Sequence, residues 1–246
     1  MKIGLFIPCY IDQFYPIVGI ATLELLHKLG LEVYYPPEQT CCGQPLANSG
    51  AEKEAIPIYK NFVRNFSNFD YVVSPSGSCV YHIRENYDLL EQTNEVRKVR
   101  QTTYELCEFI VDILKIDDLS IEYPHKVGIH QSCHGLRGLK LGIPSELIAE
   151  HYSKVHRLLE KAEGIEIINL DRNDECCGFG GTFSILQPDI SAKMGKDRLE
   201  DHMRNGAEVI TATDMSCLMH LEGIARRQNK EVQFVHVAEI LNSNHL

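Results

Sequence analysis

Eight of the nine cysteines in this chain of 246 residues fall into two sets of the same form. The first is Cys9, the adjacent pair Cys41–Cys42 followed by Gly43, and Cys79. The second is Cys133, the pair Cys176–Cys177 followed by Gly178, and Cys217. The gaps are 31 and 36 residues in the first set and 42 and 39 in the second. Each set ends in a shared phrase, SCVYH at 78–82 and SCLMH at 216–220. Neighbouring cysteines are poor disulfide partners, because adjacent Cα atoms lie only about 3.8 Å apart, closer than disulfide geometry wants. Four thiolates drawn to one point need a cation, and an iron–sulfur cluster or a zinc ion would serve. Neither set has the short C-x2-4-C knuckle of structural zinc or the ferredoxin run C-x2-C-x2-C-x3-C. The spacing therefore favours a larger, irregular iron–sulfur object, with zinc and plain buried or redox-active thiols as alternatives.

The elements that must position these sulfurs repeat as well. KIGLFIP reads as a buried strand ending before Cys9, and Ile17 to Leu29 as an apolar helix closed by Gly30. EVYY is a strand leading to Cys41. Ser49 and Glu52 form an expected capping box, opening a helix with Ala55, Tyr59, Phe62 and Phe66 on one face. YVVSP is the next strand, with Ser78 as the expected N-cap and Cys79 in the first turn. The second half matches with strands KVGIH, IEIINL, EVITAT and VQFVH, and with helices from about Ser145 to Gly164, Pro188 to Asn205 and Ala238 to Leu241. Alternating strands and helices predict α/β architecture: two pseudo-repeated halves, each a small parallel sheet flanked by helices. The expected domains are 1–120 and 121–246, with a seam near Asp117 to Pro124. Each cysteine falls just past the C-terminal end of a strand, the edge where open parallel sheets bind ligands. Cys79 and Cys217 at helix N-termini are expected to have lowered pKa values.

Composition narrows the class. A formal net charge of -10 argues against nucleic acid and anionic membrane surfaces. No run approaches the ~18 apolar residues of a membrane span. The start reads as a strand rather than a signal peptide, so the expected compartment is the cytoplasm, where nine cysteines point to metal or redox chemistry.

These motifs resemble those of the cysteine-rich CCG-domain proteins, whose signature is Cys, a long gap, Cys-Cys-Gly, a long gap, then Cys-x-x-Cys, often in two copies. The resemblance covers nearly the whole chain. CCGQPLANSG at 41–50 and SPSGSCVYHIR at 74–84 are most similar to the short, two-domain branch that serves lactate utilisation. The resemblance implies a cytoplasmic iron–sulfur electron-transfer subunit of a complex oxidising L-lactate to pyruvate. It implies one or two clusters of 4Fe-4S type on Cys9, Cys41, Cys42 and Cys79 and on Cys133, Cys176, Cys177 and Cys217. Implied partners are a ferredoxin-type iron–sulfur subunit and a third subunit. The family's heterodisulfide-reductase branch offers a different enzyme, a thiol–disulfide redox subunit, and a zinc-stabilised binding module is the non-enzyme alternative. In this chain Ser76 and Asp214 stand where the signature has the first cysteine of Cys-x-x-Cys. That leaves four sulfurs per half, with Ser76 or Asp214 as an added oxygen donor or neighbour.

His82 and His220 lie three residues after Cys79 and Cys217, on the same helical face. They could ligate metal, donate to a cluster sulfur, relay protons, or simply be satisfied within the fold. His134 and Arg137, beside Cys133 in QSCHGLRG, could contact a carboxylate substrate, or lie in a solvated loop. Gly178, Gly180 and Gly181 lack the lysine and spacing of a phosphate-binding loop. Cys107, in the helical pattern YELCEFIVDIL, reads as core.

Overall fold

The computed structural model describes residues 1–150 and 152–243. Runs rich in Val, Ile and aromatic residues become strands, and those at the centre of each parallel sheet are buried on both faces. In the first half these are β1 (Lys2–Leu5), β2 (Glu32–Tyr34), β3 (Tyr71–Ser74) and β4 (Thr103–Glu105), in the order β2-β1-β3-β4. In the second half β5 (Lys126–Ile129), β6 (Glu166–Ile167), β7 (Val209–Thr211) and β8 (Gln233–Phe234) take the order β6-β5-β7-β8. Every pairing between these eight strands is parallel. The two-halved α/β fold expected from the repeat is the one observed. Corresponding strands also share register, with Gly4 beside Val72 in one sheet and Gly128 beside Ile210 in the other.

The first-half helices are α1 (Cys9–Phe14), α2 (Pro16–Lys28), α3 (Gln44–Asn48), α4 (Glu52–Phe66), α5 (Gly77–Asn86), α6 (Asn94–Thr102) and α7 (Leu106–Glu108). The second half adds α8 (Lys154–Leu159), α9 (Thr182–Leu186), α10 (Pro188–Arg204), α11 (Met215–Arg227) and α12 (Val237–Leu241). Ala55, Tyr59, Phe62 and Phe66 are the buried face of α4, as its periodicity predicts. One apolar cluster joins the halves, running from Ile3 and Val73 through Leu106 and Ile110 to Val155, Leu218 and Leu241. A second cluster around Phe6, Phe62, Phe66 and Tyr87 fills the other face of the first sheet. Among the described residues no helix is long and apolar enough to cross a membrane.

Four local expectations are corrected. Ser49 does not cap α4, whose N-cap is Ala51 with no side-chain bond. Ser49 instead ends α3, and its hydroxyl donates to the Pro45 carbonyl. Ser76, not Ser78, caps α5, accepting from the Cys79 N–H at 3.3 Å. The helix expected from Ser145 starts at Lys154, because Ser153 accepts from His156 N while Ser145 is held by Asp174. Position 151, within that expected helix, lies outside the described residues. YELCEFIVDIL is not one helix. Its first residues extend β4 into the sheet, and Glu105 then caps α7 through Glu108 N at 3.1 Å.

Candidate metal centre

In the first half the sulfurs arrive from three loops at one edge of the sheet. Cys9 opens α1 four residues after β1. Cys41 and Cys42 lie between β2 and α3, where Gly43 turns the chain at φ 91°. A Cβ on Gly43 would sit 2.5 Å from the Tyr59 ring, so the turn needs glycine for both conformation and space. Cys79 sits in the first turn of α5. The Sγ atoms of Cys9 and Cys41 are 3.8 Å apart, those of Cys42 and Cys79 3.3 Å. All are free thiols. Gly43 N donates to Cys41 Sγ at 3.3 Å.

The second half repeats the arrangement. Cys133 follows β5, Cys176 and Cys177 precede α9, and Cys217 lies in the first turn of α11. Gly178 has φ 87° and packs on α10, where a Cβ would meet Met194 Cβ and the Ser191 carbonyl at 2.7 Å. Gly178 N donates to Cys176 Sγ at 3.3 Å.

Within each half the sulfurs hydrogen-bond to one another and shift one another's ionisation. Hydrogen bonds from Cys42 and Cys9 lower the Cys41 pKa to about 3. Cys133 and Cys177 lower Cys176 to about 2 in the same way. The donors pay the converse: Cys9, Cys42, Cys133 and Cys177 are pushed up, first by bonding to those thiolates and then by burial or a further thiol. A soft cation bound by either set would displace the thiol protons.

All eight cysteines line one cavity of about 460 Å³, shared with Tyr10, Ser132, His134, Phe179 and Asp214. The halves touch on its lining. Asp214 is the N-cap residue of α11 but makes no side-chain cap bond there. Its Oδ1 instead accepts from Ser76 Oγ at 2.9 Å and from Ser78 N at 2.9 Å, at the start of α5. Ser76 and Asp214 are therefore paired to each other across the halves, and both are buried.

The remaining candidates have other partners. His82 is buried, with Nε2 3.1 Å from the Tyr59 hydroxyl, and burial lowers its pKa to about 4. His220 Nε2 lies 3.4 Å from the Ser191 carbonyl. His134 faces the cavity with its ring 5.3 Å from that of Tyr81. The Arg137 guanidinium is held by Glu146 at 2.7 and 2.9 Å and by Asp174 at 3.1 Å, so the chain itself supplies its anions. Cys107 is fully buried in the common core. One residue near the sulfurs carries no signal in its own half. His130 places a ring nitrogen within 4.8 Å of the Sγ atoms of Cys177 and Cys217. Alignment of KVGIHQSC with KIGLFIPC could have exposed it, since histidine replaces Phe6 at an apolar strand end.

A family model described as "Cysteine-rich domain" matches residues 3–84 and again 127–222. Lactate utilization protein A of Halalkalibacterium halodurans is 39% identical over 246 residues, 98% of this chain and 97% of that protein. Lactate utilization protein A of Bacillus subtilis is 39% identical over 247 residues, 99% of this chain and 100% of that protein. Among solved structures, glutamate racemase RacE1 of Bacillus anthracis is 12% identical with a TM-score of 0.36, covering 98% of this chain and 78% of that one. A likeness at that level carries no argument about function.

Proposed function

This chain belongs to the cysteine-rich CCG domain family, and from that premise we propose that it is an iron–sulfur electron-transfer subunit in the oxidation of L-lactate to pyruvate. Its role in lactate utilisation follows from full-length relatives of that name. The observation that carries the redox reading is the convergence of all eight cysteines, every one a free thiol, on one cavity.

The residues fit the group. Each half offers four sulfurs from separate loops, and glycine turns give close backbone access. Cys9, Cys41, Cys42 and Cys79 would hold one centre and Cys133, Cys176, Cys177 and Cys217 the other, one in each of the halves 1–120 and 121–246. When bound, a 4Fe-4S cluster supplies one-electron chemistry, its potential tuned by hydrogen bonds to sulfur and by burial. The N–H groups of Gly43 and Gly178 already donate to sulfur, and Phe179 N donates to Cys177 Sγ at 3.5 Å. Ser76 and Asp214 hold the α5 start against the other half and so orient Cys79.

Electrons passing through a cytoplasmic subunit need partners, and a ferredoxin-type iron–sulfur subunit and a third subunit fill that role. Exposed apolar side chains beside the cavity support a docking face. Ile185 lines the cavity yet is 78% exposed, Leu186 follows it, and Phe14 packs on the cavity-lining Tyr10. One observation favours a second reading, zinc. Sulfurs bonded at about 2.3 Å to one tetrahedral ion lie about 3.8 Å apart, and Cys9 and Cys41 have that separation.

Anaerobic purification with iron, sulfide and zinc quantitation, followed by EPR, separates the two. Iron with matching sulfide is expected, and Cys42→Ala and Cys177→Ala should each remove one signal. Zinc without iron or sulfide, or two variants with unaltered spectra, would overturn the assignment.

A further inference from the structure

The duplication lets one half serve as a control for the other. Beneath the first cysteine set lies a hydrocarbon triad. Phe6 packs edge-on against Phe62, ring centroids 4.9 Å apart, and against Phe66 at 5.8 Å. In the second half the corresponding positions are His130, Arg198 and His202. The backbone fixes this correspondence: Phe6 N donates to Val73 O and His130 N to Thr211 O, at equivalent points of the two ladders. The space beside Gly4 is filled by the Phe69 and Phe66 rings, and that beside Gly128 by His202 and Ala207, so Phe66 and His202 occupy matching places on the buried faces of α4 and α10.

Three apolar rings have thus become three nitrogen-bearing groups, all fully or nearly fully buried. Arg198 and His202 partner each other, with Arg198 Nε donating to His202 Nε2 at 3.2 Å and Nη1 meeting Asp201 at 3.1 Å. His130 differs. It is 1% exposed, and neither ring nitrogen has a hydrogen-bond partner. Leaving a buried polar atom unsatisfied costs about 1–3 kcal/mol, and such groups call for a cause. His130 has a candidate within reach, since its nitrogen and the sulfurs of Cys177 and Cys217 lie within 4.8 Å of one another.

We propose that the second half holds a mixed sulfur–nitrogen centre with His130 as a donor beside Cys177 and Cys217, whereas sulfur alone holds the centre of the first half. This rests on the reading of the cysteine sets as metal or cluster sites. With His130 taking the place of one of the four thiolates of that set, a neutral imidazole raises the cluster's potential, as replacement of cysteine by histidine does elsewhere. The second centre is then the easier to reduce, and electrons run from the first half to the second.

Pulsed EPR on anaerobically prepared wild-type protein should detect a nitrogen coupled to one centre. Cys42→Ala, which leaves the second centre, should keep that coupling, and Cys177→Ala should lose it. His130→Phe, which installs the first half's own residue, and His130→Gln should both abolish the coupling and lower the second centre's midpoint potential. If the wild type holds zinc, cobalt(II) put in its place should give a mixed sulfur–nitrogen absorption spectrum from the second half and an all-sulfur one from the first. No nitrogen coupling in the wild type, two all-sulfur cobalt spectra, or coupling and potential unchanged in both His130 variants would each overturn the inference. Wild-type protein holding neither iron nor zinc would instead overturn the metal reading beneath it.

Discussion

Glu105 ends β4 with its carboxyl wholly inside the protein, and burial raises its pKa to about 8. One oxygen accepts from Glu108 N, and the other has no partner. In the unfolded chain the carboxyl ionises near 4.5. Between those values the unfolded state sheds a proton that the folded state keeps, so stability falls as pH rises from 4.5 to 8 and is flat above. Glu105→Gln should remove that slope. Denaturant melts at the two ends of the window are the check, with the variant gaining about 1 kcal/mol or more on wild type at the alkaline end. His82 and His236 act in the other sense. Burial lowers both to about 4, so their contribution is lost as pH falls below 6.5.

At the scale of elements, the Cys-Cys-Gly turn is the device that aims adjacent sulfurs. Its glycine is constrained twice, by φ and by a neighbour, whereas the glycine ending α10 is constrained once. Gly206 has φ 87° with nothing within 4 Å of where a Cβ would stand. Gly206→Ala should therefore cost only the left-handed backbone strain, about 1–2 kcal/mol, and leave metal content intact. Gly43→Ala adds a collision with Tyr59, and Gly178→Ala one with α10. Each should lose more stability than Gly206→Ala and empty the centre of its own half, measured by thermal melts and metal analysis. Equal losses for all three would mean the turns do not shape the sites.

For the whole molecule, the common core decides how the halves behave. α12 packs on α2, and α7 on α8, so each half covers apolar surface belonging to the other. Tyr15 also donates to Glu222 across the halves at 3.0 Å. The chain should unfold in one cooperative transition, and residues 1–120 alone should not give a cooperative melt, as calorimetry and near-UV circular dichroism would report. Two separate transitions would show that the halves are energetically independent. A common core also fixes the distance between the two cysteine sets facing one cavity.

The sequence by itself determined the repeat, the α/β order, the strand ends that precede the cysteines and the buried face of α4, because those follow from local periodicity and from spacing along the chain. It could not place the cap of α5 on Ser76 rather than Ser78, since both are good cap residues and only the path out of β3 chooses. It could not show that both cysteine sets face one cavity, that Asp214 bonds across 138 positions to Ser76, that carboxylates surround Arg137, or that His130 stands behind Cys177. Those are relations between segments packed from opposite ends of the chain. A pattern of burial says that a residue faces inward, but only the packed elements decide what it faces.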